Sequence, residues 1–209
     1  MLAQSEALLF LPGAGGDTTV WRPVANGLAH GGRRHFFSWP GFGGAPPDPS
    51  VNGVDDLVER VVTAITGPVV LFAQSMGGIV ALQAALAVPE HVRALVLSVT
   101  SGGIDMRALG AEDWRPQFEQ NQPRAPRWFL NARNDLSPRL PMISAPTLLL
   151  WGDADPISPV AVGRRLNELL PRSELIVVEG GTHSLASDHA GEILPHIERH
   201  LGRALDSRV

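Results

Sequence analysis

Three side chains of the 209-residue sequence could together carry out nucleophilic chemistry: Ser75, Asp155 and His183. A serine hydroxyl becomes a nucleophile when a histidine takes its proton, and a carboxylate can hold that histidine in the required tautomer. Each of the three residues follows a short apolar run. Their types and order therefore indicate an acyl-transfer site, provided that the fold brings them together.

Ser75 lies in the sharpest motif, because the apolar run Val69–Ala73 leads through Ala-Gln-Ser-Met-Gly77 directly into a helical pattern. This sequence matches the G-x-S-x-G nucleophile elbow, with Ala73 in the first small position. Small residues are needed at both ends since the turn strains the serine and brings its neighbours close. The helix that follows would point its N-terminal amides at the site. An ordinary strand-to-helix turn is the alternative, and the flanking strand and helix favour the nucleophile.

Asp155 and His183 each follow a later apolar run, at the sheet edge where open α/β folds place their sites. Asp155 comes three residues after the run Thr147–Gly152, and we expect it to orient the histidine while Asp153 forms the turn. The alternative is that both aspartates only cap the helix that begins near Pro159. The chain order of serine, aspartate and histidine is typical of one class of α/β enzymes and differs from that of two protease classes.

A glycine-rich turn, Gly13-Ala-Gly-Gly16, follows the first apolar run. We expect the amides of Ala14 and Met76 to stabilise an oxyanion, as preorganised backbone donors do in acyl transfer. The turn also begins like a dinucleotide-binding fingerprint. That interpretation fails because Thr18 takes the third glycine position and the next run has no acidic residue for a ribose.

The remaining sequence predicts the elements that must position these residues. Short apolar runs indicate buried parallel strands at Ala7–Pro12, His35–Trp39, Val69–Ala73, Val92–Val99, Thr147–Gly152 and Leu175–Val178. Helical patterns lie at Val54–Thr66, Met76–Val88, Val160–Leu170 and His189–Leu201. This alternation predicts an α/β fold with an open, mostly parallel, doubly wound sheet and helices on both faces.

One interval, residues 101–143, is much longer than a crossover between two strands needs. We predict that it is a lid inserted into a single domain spanning residues 1–209. Its aromatic residues could line an apolar substrate pocket, or they could bury the inner face of the lid itself. The residues concerned are Trp114, Phe118, Trp128 and Phe129.

Composition excludes several classes of function. The formal net charge is −4, so no basic surface indicates a nucleic-acid partner. Cysteine is absent and no histidine-rich ligand motif occurs, and we therefore expect neither a metal nor another cofactor. The apolar run near the N-terminus is too short for a membrane span and lacks a basic flank, which favours a cytoplasmic protein without membrane insertion. The oligomeric state stays open.

At these residues the sequence resembles the α/β-hydrolase superfamily, and the resemblance covers nearly the whole chain. Pro12-Gly-Ala14 resembles the family's histidine-glycine oxyanion signature, with proline where histidine is common. Trp39-Pro-Gly-Phe-Gly-Gly44 resembles its D-x-P-G-x-G loop without the aspartate, and Pro89–Leu97 resembles its helix-to-strand segment. The resemblance implies a compact member whose sheet begins at the family's third strand and whose lid is short.

The resemblance implies a serine hydrolase that cleaves a small ester or thioester, a small-molecule acyl substrate, through an acyl-enzyme. A second possibility is a lyase similar to menaquinone-pathway synthases, which would use the same triad for proton abstraction and elimination. Lid arginines could then bind a polyanionic substrate, or they could be solvated surface charges: Arg115, Arg124, Arg127, Arg133 and Arg139. A third possibility is a ligand-binding protein on the hydrolase scaffold. Subfamilies with an aspartate nucleophile are disfavoured by Ser75.

Overall fold

Six parallel strands form one open sheet in the order β2-β1-β3-β4-β5-β6. The structure is a computed structural model that describes residues 6–133 and 135–206. The strands are β1 (Ala7–Leu11), β2 (Arg34–Phe36), β3 (Val69–Gln74), β4 (Val92–Ser98), β5 (Thr147–Gly152) and β6 (Ser173–Val178). Every pairing between neighbouring strands is parallel. The predicted open α/β sheet is confirmed.

Helices cover both faces of this sheet. They are α1 (Arg22–Gly27), α2 (Val54–Ala64), α3 (Met76–Ala87), α4 (Arg115–Asn121), α5 (Arg127–Asn131), α6 (Val160–Leu169), α7 (Leu185–Asp188) and α8 (Ala190–Asp206). Because successive strand side chains point to opposite faces, β1 supplies Leu9 to a core under α2, α3 and α6, and Phe10 to a core under α1, α7 and α8. The two-sided burial explains why the inner strands β1, β3 and β5 are almost continuously apolar, whereas the edge strands β2 and β6 are partly exposed and carry charged residues.

Three strands end earlier than the sequence predicts, and the first of them, β1, ends at Leu11 rather than at Pro12. The strand expected at His35–Trp39 ends at Phe36, although the amide of Phe37 still donates to the carbonyl of Phe10. Beyond it, Trp39 donates its indole N–H to the carbonyl of Pro12 in the neighbouring loop. The strand expected to reach Val99 ends at Ser98, since Val99 has a φ of 43°. That left-handed conformation is rare for a β-branched residue and cannot continue a strand.

The segment 101–143 lies between β4 and β5 and contains α4, α5 and two short 3-10 turns at Arg107–Leu109 and Leu140–Met142. The amide of Leu136 donates to the carbonyl of Gly103 at 2.9 Å, so the two ends of the segment meet. The side chain of Leu140 is fully buried in the core under α2, α3 and α6. Its assignment as a lid stays a prediction.

Candidate active site

Ser75 lies at the sharp turn between β3 and α3, with φ 53° and ψ −120°. A non-glycine residue in this region is strained, and such residues persist where the surrounding structure fixes them. The turn also needs glycine two residues later, because a Cβ on Gly77 would lie 2.6 Å from the carbonyl oxygen of Pro12. Ala73 is fully buried, so the methyl group that replaces the usual hydrogen is accommodated in the core. The backbone has the form of the predicted elbow.

The structure brings Ser75, His183 and Asp155 together. His183 Nε2 lies 3.0 Å from Ser75 Oγ, and His183 Nδ1 lies 2.8 Å from Asp155 Oδ2. The second oxygen of Asp155 accepts the amides of Ile157 at 2.9 Å and Ser158 at 3.2 Å. The Asp155 carboxylate is fully buried, whereas the imidazole is 26% exposed on the cavity side. This geometry suits proton transfer from the hydroxyl, and the catalytic roles stay predictions.

Asp153 has a different contact from Asp155. Its Oδ1 accepts the amide of Gly180 at 2.7 Å, which ties the loop after β5 to the loop after β6. Neither aspartate caps α6, since that helix begins after Pro159 without a side-chain cap. The contact agrees with the turn-forming role expected for Asp153.

Ala14 and Met76, the residues expected to donate to an oxyanion, line the same cavity as Ser75 and His183. The loop that carries Ala14 is attached to the core by a hydrogen bond from Trp39. Trp39 Nε1 donates to the carbonyl of Pro12 at 2.8 Å, from a fully buried side chain. This contact attaches the loop to the core at the position where the family's histidine is replaced by proline. The sequence motif that contains Trp39 gives no indication of this contact.

Gln74, next to Ser75, also belongs to the site and was not predicted from the sequence. Its side-chain amide Nε2 donates to the backbone carbonyl of His183 at 3.0 Å, across 109 residues of sequence. Its Oε1 lies so close to Gly13 that a Cβ there would collide with it. The variable position before the nucleophile thus joins the elbow, the glycine-rich turn and the histidine loop. No local sequence signal distinguishes this glutamine from any other polar residue.

A cavity of about 620 Å³ opens over Ser75 and extends beneath the segment 101–143. Three of the four aromatic residues expected in a substrate pocket line it: Trp114, Phe118 and Phe129. They also pack on one another, with the rings of Trp114 and Phe129 4.9 Å apart, so they bury the segment's inner face as well. Apolar walls next to a nucleophile are what an acyl chain requires.

The expectation for Trp128 is corrected, because the structure places it outside the lining of this cavity. Its indole packs edge-on against Phe42 at 5.7 Å and against Phe129 at 6.1 Å. Phe129 also contacts Phe42, at 5.7 Å, but of these two adjacent residues of α5 it is Phe129 that lines the cavity. We therefore assign Trp128 to packing between the segment and the loop that carries Phe42.

The charged groups that line the cavity are acidic: Asp17, Glu112 and Asp113. No arginine is among the described residues that line it. Arg115 lies beside the opening, where its Nη1 donates to Asp113 Oδ1 at 2.9 Å and holds the pKa of that carboxyl below its ordinary value. Among residues 6–133 and 135–206, no group of three or more histidine, aspartate or glutamate side chains is arranged to hold a metal ion.

Comparison with known proteins decides the family. A model described as "Alpha/beta hydrolase family" matches residues 8–138, and one described as "alpha/beta hydrolase fold" matches residues 104–190. The chain belongs to the alpha/beta hydrolase family. This α/β hydrolase is therefore the compact member that the sequence predicts, with six parallel strands among its described residues.

Relatives of this α/β hydrolase include esterases. It is 26% identical to the pimeloyl-[acyl-carrier protein] methyl ester esterase of Aeromonas hydrophila, covering 95% of this chain and 96% of that protein. It is 30% identical to the enzyme of that name from Nitrosospira multiformis, covering 76% of this chain and 60% of that protein. A thermophilic esterase from Thermogutta terrifontis has a similar fold, with a TM-score of 0.76, 21% identity and coverage of 96% and 91%. Within the described residues, no helix has the length and apolar character needed to cross a bilayer.

Proposed function

We propose that this α/β hydrolase is a serine esterase that cleaves small esters or thioesters with Ser75 as the nucleophile. The observation that carries the proposal is the unbroken contact from Ser75 Oγ through His183 to the buried carboxylate of Asp155. Relatives named as methyl ester esterases support the reaction class. The apolar cavity above the serine supports an acyl substrate of modest size.

In this mechanism Ser75 Oγ attacks the carbonyl carbon of the ester while His183 Nε2 takes the hydroxyl proton. Asp155 holds the imidazole with its proton on Nδ1 and stabilises the imidazolium that forms. The amides of Ala14 and Met76 stabilise the oxyanion, a contribution of about 10²–10³ in rate for one such donor. His183 then gives the proton to the departing alcohol or thiol. Water attacks the acyl-enzyme by the same route, and the released acid regenerates the serine.

The lyase alternative needs cationic groups around the substrate. The lid arginines do not supply them within the described structure, because none lines the cavity. Arg127 pairs with Glu119 at 2.6 Å, and Arg115 pairs with Asp113. The acidic lining would repel a polyanionic substrate, which favours the esterase. A ligand-binding protein without activity would not need the nucleophile, base and acid to be aligned, so their alignment favours an enzyme. We further propose that the enzyme is cytoplasmic.

The test uses a panel of p-nitrophenyl esters of increasing acyl length with the wild-type protein and Ser75→Ala. We expect turnover by the wild type and its loss in the variant, which retains the fold because the substitution removes one hydroxyl. A fluorophosphonate probe followed by mass spectrometry should place one covalent adduct on Ser75. Equal ester hydrolysis by wild type and Ser75→Ala would refute the proposal.

A further inference from the structure

Two buried hydroxyl groups connect the loop that carries Ser75 with the loop that carries Asp155. Thr100 Oγ1 donates to the backbone carbonyl of Ser75 at 2.6 Å, and Ser158 Oγ donates to the carbonyl of Thr100 at 3.2 Å. The amide of Ser158 in turn donates to Asp155 Oδ1. Since Asp155 and Ser75 are also joined through His183, these contacts close a ring of hydrogen bonds.

The half of the ring behind the triad is shielded from water. Thr100 is fully buried and Ser158 is 1% exposed. The Thr100 hydroxyl also accepts the amide of Gly102 at 3.0 Å, so both its donor and its acceptor capacity are used. A buried polar group that loses its partner is not rescued by solvent, and each contact therefore constrains the groups that it joins.

Two unusual features of the chain place Thr100 against the elbow. The left-handed backbone of Val99 turns the chain out of β4, and the buried Val99 amide donates to the carbonyl of Leu150 at 3.1 Å. Gly78, in the first turn of α3, leaves the room that Thr100 occupies, because a Cβ there would collide with the threonine side chain. Strained backbone of this kind persists only where the surrounding structure fixes it, and it occurs most often at functional sites.

We propose that Thr100 and Ser158 are positioning residues for acyl transfer, which fix the backbone of Ser75 relative to the Asp155 loop so that His183 reaches both. This inference rests on the proposed esterase function. Thr100 does not line the cavity and acts through the triad, so its loss should affect the reaction step more than substrate binding. Small misplacements of a nucleophile are sufficient for a large loss of rate.

The test compares Thr100→Val, Thr100→Ser and the matched control Thr147→Val. Thr147 is 1% exposed and donates its hydroxyl to the carbonyl of Ala145 at 3.1 Å, so its variant loses a comparable buried donor elsewhere on the sheet. Thr100→Val should lower kcat and the rate of fluorophosphonate labelling about 10- to 100-fold with little change in KM. Thr100→Ser, which keeps the hydroxyl, should restore most of both rates. Thr147→Val should keep kcat near the wild-type value.

If Thr100→Val and Thr147→Val have equal kcat and labelling rates at similar melting temperatures, the inference is wrong. If Thr100→Val does not fold, Ser158→Ala is measured in its place, with a loss of kcat expected and wild-type kcat contradicting the inference. Failure of the esterase proposal itself is recognised separately, because ester hydrolysis would then be unchanged in Ser75→Ala.

Discussion

Trp39 donates its indole N–H to the carbonyl of Pro12 at 2.8 Å, across 27 residues of sequence. The acceptor lies two residues before Ala14, so the bond fixes the turn that is proposed to stabilise the oxyanion. Gly16, at the other end of the turn, packs so closely on Gly43 that a side chain would fit at neither position. The turn is therefore held at both ends by the loop after β2.

Replacing Trp39 with Phe should lower kcat about 10-fold while KM changes little, because the turn loses a buried anchor but the aromatic packing is kept. Steady-state kinetics with one p-nitrophenyl ester measures this split. Trp151→Phe is the matched control, since Trp151 is equally buried and its Nε1 has no hydrogen-bond partner within residues 6–133 and 135–206. A Trp39→Phe enzyme with the kcat of Trp151→Phe would show that the turn does not need this bond.

Asp155→Asn should lower kcat by about 10³–10⁴, because the amide cannot hold the imidazole in the productive tautomer. The control is Asp153→Asn. Within the described residues, the Asp153 carboxylate accepts a hydrogen bond only from the amide of Gly180. We expect this control to keep kcat within a few-fold of the wild type. Comparable losses in the two variants would contradict the assignment of Asp155 as the acid of the triad.

The acidic lining of the cavity should make the enzyme prefer neutral esters over esters whose acyl chain ends in a carboxylate. Glu112→Gln should raise kcat/KM for the anionic ester by about 2- to 5-fold and leave that for the neutral ester unchanged, since one repulsive charge is removed. The gain should shrink as salt is added. Glu119→Gln, on the same segment but outside the lining, should change neither value. An identical effect of both variants would exclude a local charge effect.

Because His200 is buried, we expect the free energy of unfolding to decrease in mild acid. Burial lowers the pKa of His200 below its ordinary value, and the smaller effects of the Leu95 and Pro146 backbone and of Glu174 oppose this shift, while Arg203 adds to it. As pH falls through about 6.5, the histidine of the unfolded chain binds a proton that the folded chain does not. The free energy of unfolding therefore falls with pH from about 6.5 down to the folded-state pKa and levels off below it.

Urea denaturation at several pH values between 7.5 and 5 measures this effect. His200→Gln should remove the part of the pH dependence that comes from this histidine, so the free energy of unfolding should fall less between pH 7.5 and 5 than in the wild type. His196→Gln, on the same helix α8 but partly exposed, is the control and should leave the curve nearly unchanged. The same pH dependence in His200→Gln and wild type would assign the acid sensitivity to other groups.

The proximity of Ser75, Asp155 and His183 could be predicted because each follows an apolar strand, and parallel strands end at one edge of a sheet. Contacts made by loop side chains could not. Trp39 and Thr100, which lie in loops, and Gln74, the last residue of β3, contact partners 25 to 109 residues away. The direction of a side chain in a loop or at a strand end depends on packing that leaves no periodic pattern. Trp128 shows the same limit, since it and Phe129 look equivalent in sequence and both contact Phe42, yet Phe129 lines the cavity and Trp128 does not.

The hydrogen bond between Gly103 and Leu136 affects how readily the loop between them could change in length during evolution. It brings together the two ends of a loop of more than 30 residues, so the chain leaves the sheet and returns to it at neighbouring positions. The entropic cost of lengthening such a loop grows only slowly. The alignment with the Aeromonas hydrophila esterase extends over 245 positions, more than the 209 residues of this chain, so it includes insertions relative to it. Because the two ends of the loop already meet, a longer or shorter loop could be joined at Gly103 and Leu136 without moving the strands that carry the triad.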